Sequence, residues 1–275
     1  MTPPLSLQIP GHLRWSHVVN AIAAAPEAEH PLGALAHLAC LSPFHFHRVY
    51  HAEMGETLAA TVRRVRMREA ASRMLSGQRS IADVAQSVGY DSPQAFTRAF
   101  ARHMGQAPSA FRQSLQLPSD APDRAPVVGQ EYLPARVLLA LRHRGPLATV
   151  AHTHRRLRLA LAHQPLDGWW GVSGGHPTTY WAAAQLPAKD DRAVRMAPED
   201  ALALPEGWYA VYRLTGPYTR IGATLQVLTN RWLPALGYQQ RPGPVLERYL
   251  NSPRDVPAAP LKTDLLIPIH WNQRP

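Results

Sequence analysis

The stretch Ser42-Pro-Phe-His-Phe-His-Arg-Val-Tyr-His-Ala-Glu-Met-Gly55 occurs again, fifty positions later, as Ser92-Pro-Gln-Ala-Phe-Thr-Arg-Ala-Phe-Ala-Arg-His-Met-Gly105. Six of the fourteen positions are identical, and Tyr50 is matched by the similar Phe100. The repeated residue types follow helix rules, because Ser caps an N-terminus, Pro suits the first turn and Gly ends a helix. Each copy therefore predicts a capped helix with two aromatic side chains on its buried face.

A shorter helical run precedes each copy, at Leu35–Ala39 and at Ile81–Ala85, and a short turn separates it from the capped helix. In the second copy this turn contains Gly89. A helix, a tight turn and a capped helix form the helix-turn-helix pattern, which places its second helix in the major groove of DNA. The sequence therefore predicts two such units.

The segment Glu56–Ser76 between the two copies contains neither Gly nor Pro. It predicts one continuous helix of about 20 residues, which spans roughly 30 Å. Successive major-groove faces on one side of B-DNA lie about 34 Å apart. Two recognition helices held apart by such a strut match that spacing, so a single chain could replace the usual dimer.

The length of 275 residues exceeds the usual size of one domain, so two domains are expected. Three prolines interrupt every periodicity within Leu117–Pro126, which predicts a stiff linker at residues 116–126. The segment before it, 12–115, has helical patterns, whereas 127–275 mixes helical stretches with β-like runs such as Val137–Leu141, Tyr209–Tyr212 and Leu265–Ile269. The predicted fold is an all-α double helix-turn-helix domain followed by an α+β domain.

Composition limits the class of protein. The single cysteine, Cys40, excludes an intrachain disulfide, favours a cytoplasmic setting, and is expected to be a small core residue. No run of apolar residues is long enough to span a bilayer, so no membrane partner is expected. The net charge of +10 suits a polyanionic partner, but only 11 of the 29 basic residues precede residue 121, so charge alone does not locate the binding surface.

A weaker repeat pairs Arg142–Leu147 with Arg213–Tyr218, seventy-one positions apart. Each copy has a Gly-Pro turn that follows a β-like run and precedes a helical one. This pattern predicts a pseudo-symmetric α+β module, and such duplications commonly place a cleft where the two halves meet.

The N-terminal residues resemble the AraC/XylS family of bacterial regulators, most clearly over Ser80–Phe100 and Gly105–Arg112. The resemblance implies that double-stranded promoter DNA is a partner, that RNA polymerase is another, and that the protein acts as a monomer or weak dimer associated with the nucleoid. It assigns base reading to six residues of the two recognition helices: Phe44, His47, Arg48, Gln94, Ala95 and Arg98.

The chemistry of these residues suits base reading. Arg donates two hydrogen bonds to guanine and Gln pairs with adenine, whereas Phe44 and Ala95 offer apolar contact to a thymine methyl group. The alternative for Arg48 and Arg98 is contact with phosphate or water. Four further arginines are expected on the exposed side of the connecting helix, facing solvent or DNA: Arg63, Arg64, Arg66 and Arg68.

The C-terminal half resembles GyrI-like domains, which bind small molecules in regulators of multidrug response. The likeness lies in Tyr209–Tyr218, Trp232–Tyr238, Pro244–Leu250 and Thr263–Ile269, and less closely in Trp170–Pro177, where His176 stands in place of the usual acid. It implies that Glu247 meets a hydrophobic or cationic effector. Six aromatic residues are expected to line the same site: Tyr249, Trp169, Trp170, Tyr180, Trp181 and Tyr218.

Physical chemistry supports this assignment of Glu247. On a strand, Glu247 and Tyr249 share one face, and a carboxylate in an apolar cleft favours a bound cation as its counter-charge. Aromatic rings add cation–π attraction. The alternative is that Glu247 pairs with Arg248 or Arg213.

The expected function is a transcription regulator, acting as an activator, with no enzymatic activity and no cofactor. The competing classes are a GyrI-like hydrolase and a protein-binding module, each with an accessory DNA-binding half. Gly171–Gly175 matches the nucleophile-elbow pattern, but His-Pro follows where a helix should begin. His45 and His47, like His152 and His154, are two apart on expected helices and so do not face one another as metal ligands.

Overall fold

The computed structural model describes residues 12–75, 79–115, 127–145, 147–174, 179–187, 200–252 and 260–270. The chain divides into two compact units. Among the described residues, 12–115 and 144–152 belong to the first unit, and 127–143 and 153–270 to the second. The expected linker, 116–126, lies outside the described residues.

The first unit is built from seven helices within 12–115. They are α1 His12–Ala24, α2 Leu32–Leu38, α3 Pro43–Met54, α4 Leu58–Leu75, α5 Ile81–Ser87, α6 Pro93–Met104 and α7 Pro108–Leu115. The helices α2 and α3 form one helix-turn-helix unit, and α5 and α6 form the other. The connecting helix α4 has 18 residues, a length of about 27 Å, and packs against α1, α3, α5, α6 and α7.

The predicted caps of both recognition helices are confirmed. The Ser42 hydroxyl accepts the His45 backbone N–H at 3.4 Å, and the Ser92 hydroxyl accepts that of Ala95 at 3.3 Å. Both helices end at a glycine in the left-handed conformation, with φ of 73° and 74°. These local signals fix where each recognition helix begins and ends.

Aromatic clusters fill the cores of both helix-turn-helix units. Trp15 of α1 makes edge contacts with Phe46 at 5.5 Å and Tyr50 at 5.1 Å, and in the second unit Phe100 lies between Phe96 and Phe111. All these rings are buried, and burial of each stabilises the fold by about 1.5–3 kcal/mol. The expectation that the repeated aromatics form a core is confirmed.

Cys40 does not lie in the core. The helix α2 ends at Leu38, and Cys40 is an exposed turn residue with φ of 55°. Gly89 holds the matching place in the second unit, with φ of 80°. The expectation of a buried Cys40 was wrong because the helix stops two residues earlier and its turn requires a left-handed residue.

The arginines of α4 do not share one exposed face. Arg63 and Arg68 are exposed, but Arg64 pairs with Glu56. Arg66 is half-buried and donates to the carbonyl oxygens of Pro26 at 2.7 Å, Gly89 at 2.9 Å and Ala28 at 3.1 Å. Arg66 therefore joins α4 to two loops and is not available as a solvent or DNA contact, which corrects the expectation for this residue.

The described residues from 127 onward contain eight strands and three α-helices. They are β1 Val128–Leu133, β2 Arg136–Arg142, α8 Val150–Ala160, β3 Gly168–Ser173, β4 Tyr180–Gln185, β5 Ala201–Leu204, β6 Gly207–Thr215, α9 Ile221–Val227, α10 Leu233–Ala235, β7 Val245–Tyr249 and β8 Lys262–Pro268. No helix of the described residues is both long and apolar enough to cross a membrane.

The strands form one antiparallel sheet in the order β1-β6-β8-β7-β3-β4-β2-β5. If each strand is replaced by the one four strands away in the chain, so that β1 and β5, β2 and β6, β3 and β7, and β4 and β8 change places, the same order results when it is read from the other edge of the sheet. The domain is therefore a duplication with a pseudo-two-fold axis between β3 and β7, as the Gly-Pro repeat predicted. The axis pairs Gly171 of β3 with Glu247 of β7.

The sheet has two apolar faces. One of them is covered by helices and is called the helix face below. There α8 packs through Leu157 against Leu139 and Ala182, and α9 packs through Ile221 against Ala210. The other side, called the opposite face below, buries a separate cluster: Leu138, Trp170, Val172, Ala183, Tyr209, Leu246 and Leu266. Since side chains alternate along a strand, each strand contributes to both faces.

Candidate functional site

Glu247 lies at the centre of the helix face, and its side chain is only 6% exposed. Its Oε2 atom accepts a hydrogen bond from the Tyr180 hydroxyl at 3.0 Å and a short one from the Tyr249 hydroxyl. Two donors on one carboxylate oxygen stabilise the ionised form.

Gly171 makes room for this cluster. A Cβ atom at position 171 would lie 2.1 Å from the Tyr180 hydroxyl oxygen and 2.7 Å from Glu247 Oε2, well inside van der Waals contact. Any larger residue would displace the two groups. Sequence reasoning did not assign a role to this glycine, because its importance depends on the pairing of β3 with β7.

His154 of α8 completes the network. Its Nε2 atom lies 2.8 Å from the Tyr180 hydroxyl and 3.4 Å from that of Tyr249. Since both hydroxyls donate to Glu247, we assign the proton to Nε2, which donates to Tyr180. Burial, together with the charges of Arg158 and His143, lowers the pKa of His154 to about 3. The imidazole is therefore neutral at physiological pH.

The Tyr249 phenol also stays protonated. Burial raises its pKa well above 10.0, and the nearby Glu247 and Tyr180 raise it further. The hydrogen-bond chain thus runs from His154 through Tyr180 to Glu247, with Tyr249 as a second donor. The neutral hydroxyl groups of Tyr180 and Tyr249 therefore both donate to the buried carboxylate of Glu247.

The alternative ion pairs of Glu247 with Arg248 and Arg213 are not formed. Both arginines lie on the opposite face, where Arg213 Nε is 2.7 Å from Asp264 and Arg248 Nη2 is 2.9 Å from it. Arg248 also pairs with Glu131 at 2.8 Å. Strand alternation separates these cations from the neighbouring glutamate.

The structure brings four of the six predicted aromatic residues to the face of Glu247. Besides Tyr180 and Tyr249 these are Tyr218, whose ring centroid is 5.1 Å from that of Tyr249, and Trp169, which pairs with Tyr249 across β3 and β7. The Arg158 guanidinium lies 4.7 Å above the Trp169 ring.

Trp170 and Trp181 are not part of this cluster. They alternate with Trp169 and Tyr180 along their strands and pack into the cluster of the opposite face. Their predicted placement beside Glu247 was therefore incorrect, since two consecutive strand residues cannot face the same side. His176, which stands in place of the usual acid in the GyrI-like resemblance, lies outside the described residues.

The predicted base-reading residues are accessible on the recognition helices. Phe44 is 82% exposed although it is a large apolar side chain, and four polar residues are exposed as well: His47, Arg48, Gln94 and Arg98. Ala95 is half-buried. An apolar ring presented to solvent at the start of α3 suits contact with a thymine methyl group.

Two motifs considered in the sequence can be compared with the described residues. The strand β3 contains Gly171 and Ser173, and the Gly174 N–H donates to the Thr179 carbonyl at 3.0 Å. In a nucleophile elbow the serine lies at a turn from a strand into a helix, whereas Ser173 is paired with Tyr180 of β4 within the sheet. The described residues contain no group of His, Cys, Asp and Glu side chains arranged to hold a metal ion.

Comparisons with known proteins match both halves. Residues 35–114 match a helix-turn-helix domain, and 128–270 match a GyrI-like small molecule binding domain. The regulator AlkR of Acinetobacter baylyi is 33% identical over 102 residues, which are 37% of this chain and 33% of that protein. The MmsAB operon regulatory protein of Pseudomonas aeruginosa is 38% identical over 85 residues, 31% of this chain and 28% of its own.

A solved DNA-binding transcriptional dual regulator from Escherichia coli K-12 is 23% identical, with a TM-score of 0.36, over 40% of this chain and 96% of its own. The chain spans about a third or less of the length of AlkR and of the MmsAB regulator. The expected helix-turn-helix domain and GyrI-like domain are both confirmed by these matches. Since the second match covers more than half of the sequence, the chain belongs to the family of GyrI-like small molecule binding domains and carries a helix-turn-helix domain before it.

Proposed function

We propose that the chain is a one-component transcription regulator, in which residues 12–115 bind promoter DNA and residues 127–275 bind a hydrophobic cation. The observation that carries the effector half is Glu247, a buried carboxylate with two phenol donors on an aromatic face. The proposal includes activation of transcription through RNA polymerase and a monomeric or weakly dimeric state.

The preference for a cation follows from the cost of burying charge. A buried carboxylate is stabilised only partly by neutral hydrogen-bond donors, and the arginines flanking Glu247 in sequence are paired elsewhere. A bound cation would add Coulomb attraction, and the rings of Tyr218 and Tyr249 would add cation–π contacts. A neutral or anionic ligand would gain neither.

Tetraphenylphosphonium and tetraphenylborate test this preference, because the two ions have the same shape and opposite charge. We expect saturable quenching of tryptophan fluorescence by the phosphonium and none by the borate. Glu247→Gln keeps the size of the side chain and should weaken phosphonium binding by about tenfold or more. Glu131→Gln, on the opposite face, is the matched control. Equal binding of both ions, or unchanged affinity in Glu247→Gln, would refute the cation site.

The DNA half rests on the exposed side chains of α3 and α6. Operator fragments recovered by genomic selection give the substrate for competition gel shifts. Arg98→Ala should weaken specific binding by about 1–3 kcal/mol and lower the ratio of specific to non-specific affinity. Arg102→Ala, one turn further along α6, removes the same charge and should leave that ratio intact. Equal ratios in both variants would exclude base reading by Arg98.

We further propose that the domain is not a hydrolase. The pKa of about 3 makes His154 a weak base, and the raised pKa of Tyr249 makes it a weak acid, so neither suits proton transfer near pH 7. Turnover of a p-nitrophenyl ester that is lost in Glu247→Gln would reverse this conclusion.

A further inference from the structure

Two buried polar groups on the opposite face have a proton with no acceptor among the described residues. Trp170 is 3% exposed and its Nε1 makes no hydrogen bond there, and Tyr209 is 0% exposed with its hydroxyl in hydrogen-bond contact only with the Arg241 guanidinium, which is itself a donor. A buried donor that is left without an acceptor destabilises the fold. An indole N–H can only donate, so an acceptor beside Trp170 would satisfy it.

Guanidinium groups lie over both rings. Arg136 Cζ is 5.6 Å from the centre of the Trp170 ring, and Arg241 Cζ is 5.2 Å from that of Tyr209. Arg248 also lies over Trp170, at 5.7 Å. The face therefore combines two buried aromatic donors with three positive charges.

Only one of these three arginines pairs with carboxylates in the described part of the chain. Arg248 binds Glu131 and Asp264, whereas Arg136 donates to the Gln185 side chain at 3.2 Å and Arg241 to the Pro242 carbonyl at 3.3 Å. The Nη2 atom of Arg241 is buried and has no hydrogen bond with the described residues. Two guanidinium charges thus retain donors for another acceptor.

The donors converge on one corner of the face. Arg248, which lies over Trp170, pairs with Glu131, and Glu131 lies directly opposite Tyr209 across β1 and β6, so the two rings lie close together. Trp170 Nε1 points toward Gly168, where a Cβ atom would be 3.5 Å away, and Gly168 pairs with Gln185, which also binds Arg136.

We propose that this corner is a second ligand site, which binds a small oxyanion through Arg136, Arg241, Trp170 Nε1–H and the Tyr209 hydroxyl. Every group in the set donates, so the ligand must be an acceptor such as a carboxylate or a phosphate, and the guanidinium forks suit its paired oxygens. The site lies on the other side of the sheet from Glu247 and has the opposite charge preference.

Titration of the full chain with inorganic phosphate, and separately with acetate, tests the site against chloride at constant ionic strength. We expect saturable quenching of tryptophan fluorescence and a Tm that rises with the concentration of the anion. The stronger of the two anions identifies the ligand class. Arg136→Gln and Arg241→Gln should each weaken binding by about tenfold. Arg213→Gln makes the same charge change on the same face, at an arginine already paired with Asp264, and should retain wild-type affinity.

Tyr209→Phe separates this role from a structural one. It removes a hydroxyl whose proton has no acceptor until the anion binds, so the Tm without anion should change little, while the anion-dependent increase in Tm should shrink. Absence of saturable binding by both anions in the wild type, or equal losses in Arg213→Gln and Arg136→Gln, would overturn the proposal. Glu247→Gln should leave anion binding intact, so this site and the cation site can fail independently.

Discussion

Cys40 is a single residue with a measurable conformational cost. It is the only non-glycine with positive φ among the described residues, and Gly89 occupies the matching turn. A left-handed conformation costs a residue with a Cβ atom about 1–2 kcal/mol, part of which glycine returns as entropy of the unfolded chain. Cys40→Gly should therefore raise the free energy of unfolding by about 0.5–1 kcal/mol in urea denaturation. Cys40→Ala removes the thiol but keeps the Cβ atom, so an equal gain in that variant would contradict the explanation.

His154 predicts a pH dependence of stability. Its pKa is lowered to about 3 in the folded protein, from 6.5, so the unfolded chain binds a proton first as the pH falls. Its contribution to stability is complete above pH 6.5 and is lost as the pH falls toward 3. Between pH 7.5 and 5.0 the wild type should lose about 2 kcal/mol more than His154→Gln, which keeps an N–H donor for Tyr180. Parallel curves for the two proteins in urea denaturation at both pH values would exclude this role.

The sequence alone was sufficient to predict the roles of residues that act within their own helix. Ser42, Ser92 and the two terminal glycines act within their own helices, so their caps could be predicted from the repeat alone. His154 could not be found in this way. Its partners, Tyr180 and Tyr249, are 26 and 95 positions away, and only the packing of α8 on the sheet brings them together.

At the scale of elements, Arg66 is the residue that fixes α4 to its surroundings. Its three carbonyl partners belong to the loop after α1 and to the turn between α5 and α6. Arg66→Met keeps the apolar stem but removes every donor, so we expect a loss of about 2–3 kcal/mol in the free energy of unfolding. Arg63→Met, on the exposed side of the same helix, should change it by less than about 0.5 kcal/mol. Similar losses in the two variants would show that helix propensity or the lost charge, and not the carbonyl contacts of Arg66, determines the change in the free energy of unfolding.

Periodicity predicted the strands better than their faces. The runs at Val137–Leu141, Tyr209–Tyr212 and Leu265–Ile269 fall on β2, β6 and β8, apart from Ile269, which extends β8 by an isolated bridge. The assignment of both Trp169 and Trp170 to one site ignored the two-residue period of a strand. Because side chains alternate between the two faces along a strand, one of these two residues must lie on the opposite face.

At the scale of the whole domain, the sequence predicted a duplication but not the order of its strands. The Gly-Pro repeat marks β2 and β6, whereas the site forms where β3 and β7 meet at the pseudo-two-fold axis. Glu247 and Tyr249 come from the second half, and Gly171, Tyr180 and His154 come from the first. Their proximity depends on long-range strand pairing, which no local pattern encodes.

Gly171→Ala tests this joint construction of the site. The added Cβ atom would overlap Tyr180 and Glu247 across the axis, so the domain should lose about 1–3 kcal/mol of stability and the network should separate. Binding of tetraphenylphosphonium should weaken by about tenfold or more, as in Glu247→Gln. Gly129→Ala is the matched control, because on the edge strand β1 its Cβ atom would meet only the Val211 carbonyl at 3.9 Å. If Gly171→Ala binds the cation as well as Gly129→Ala does, the contact between β3 and β7 does not shape the site, and the ligand must be held within one half of the duplication.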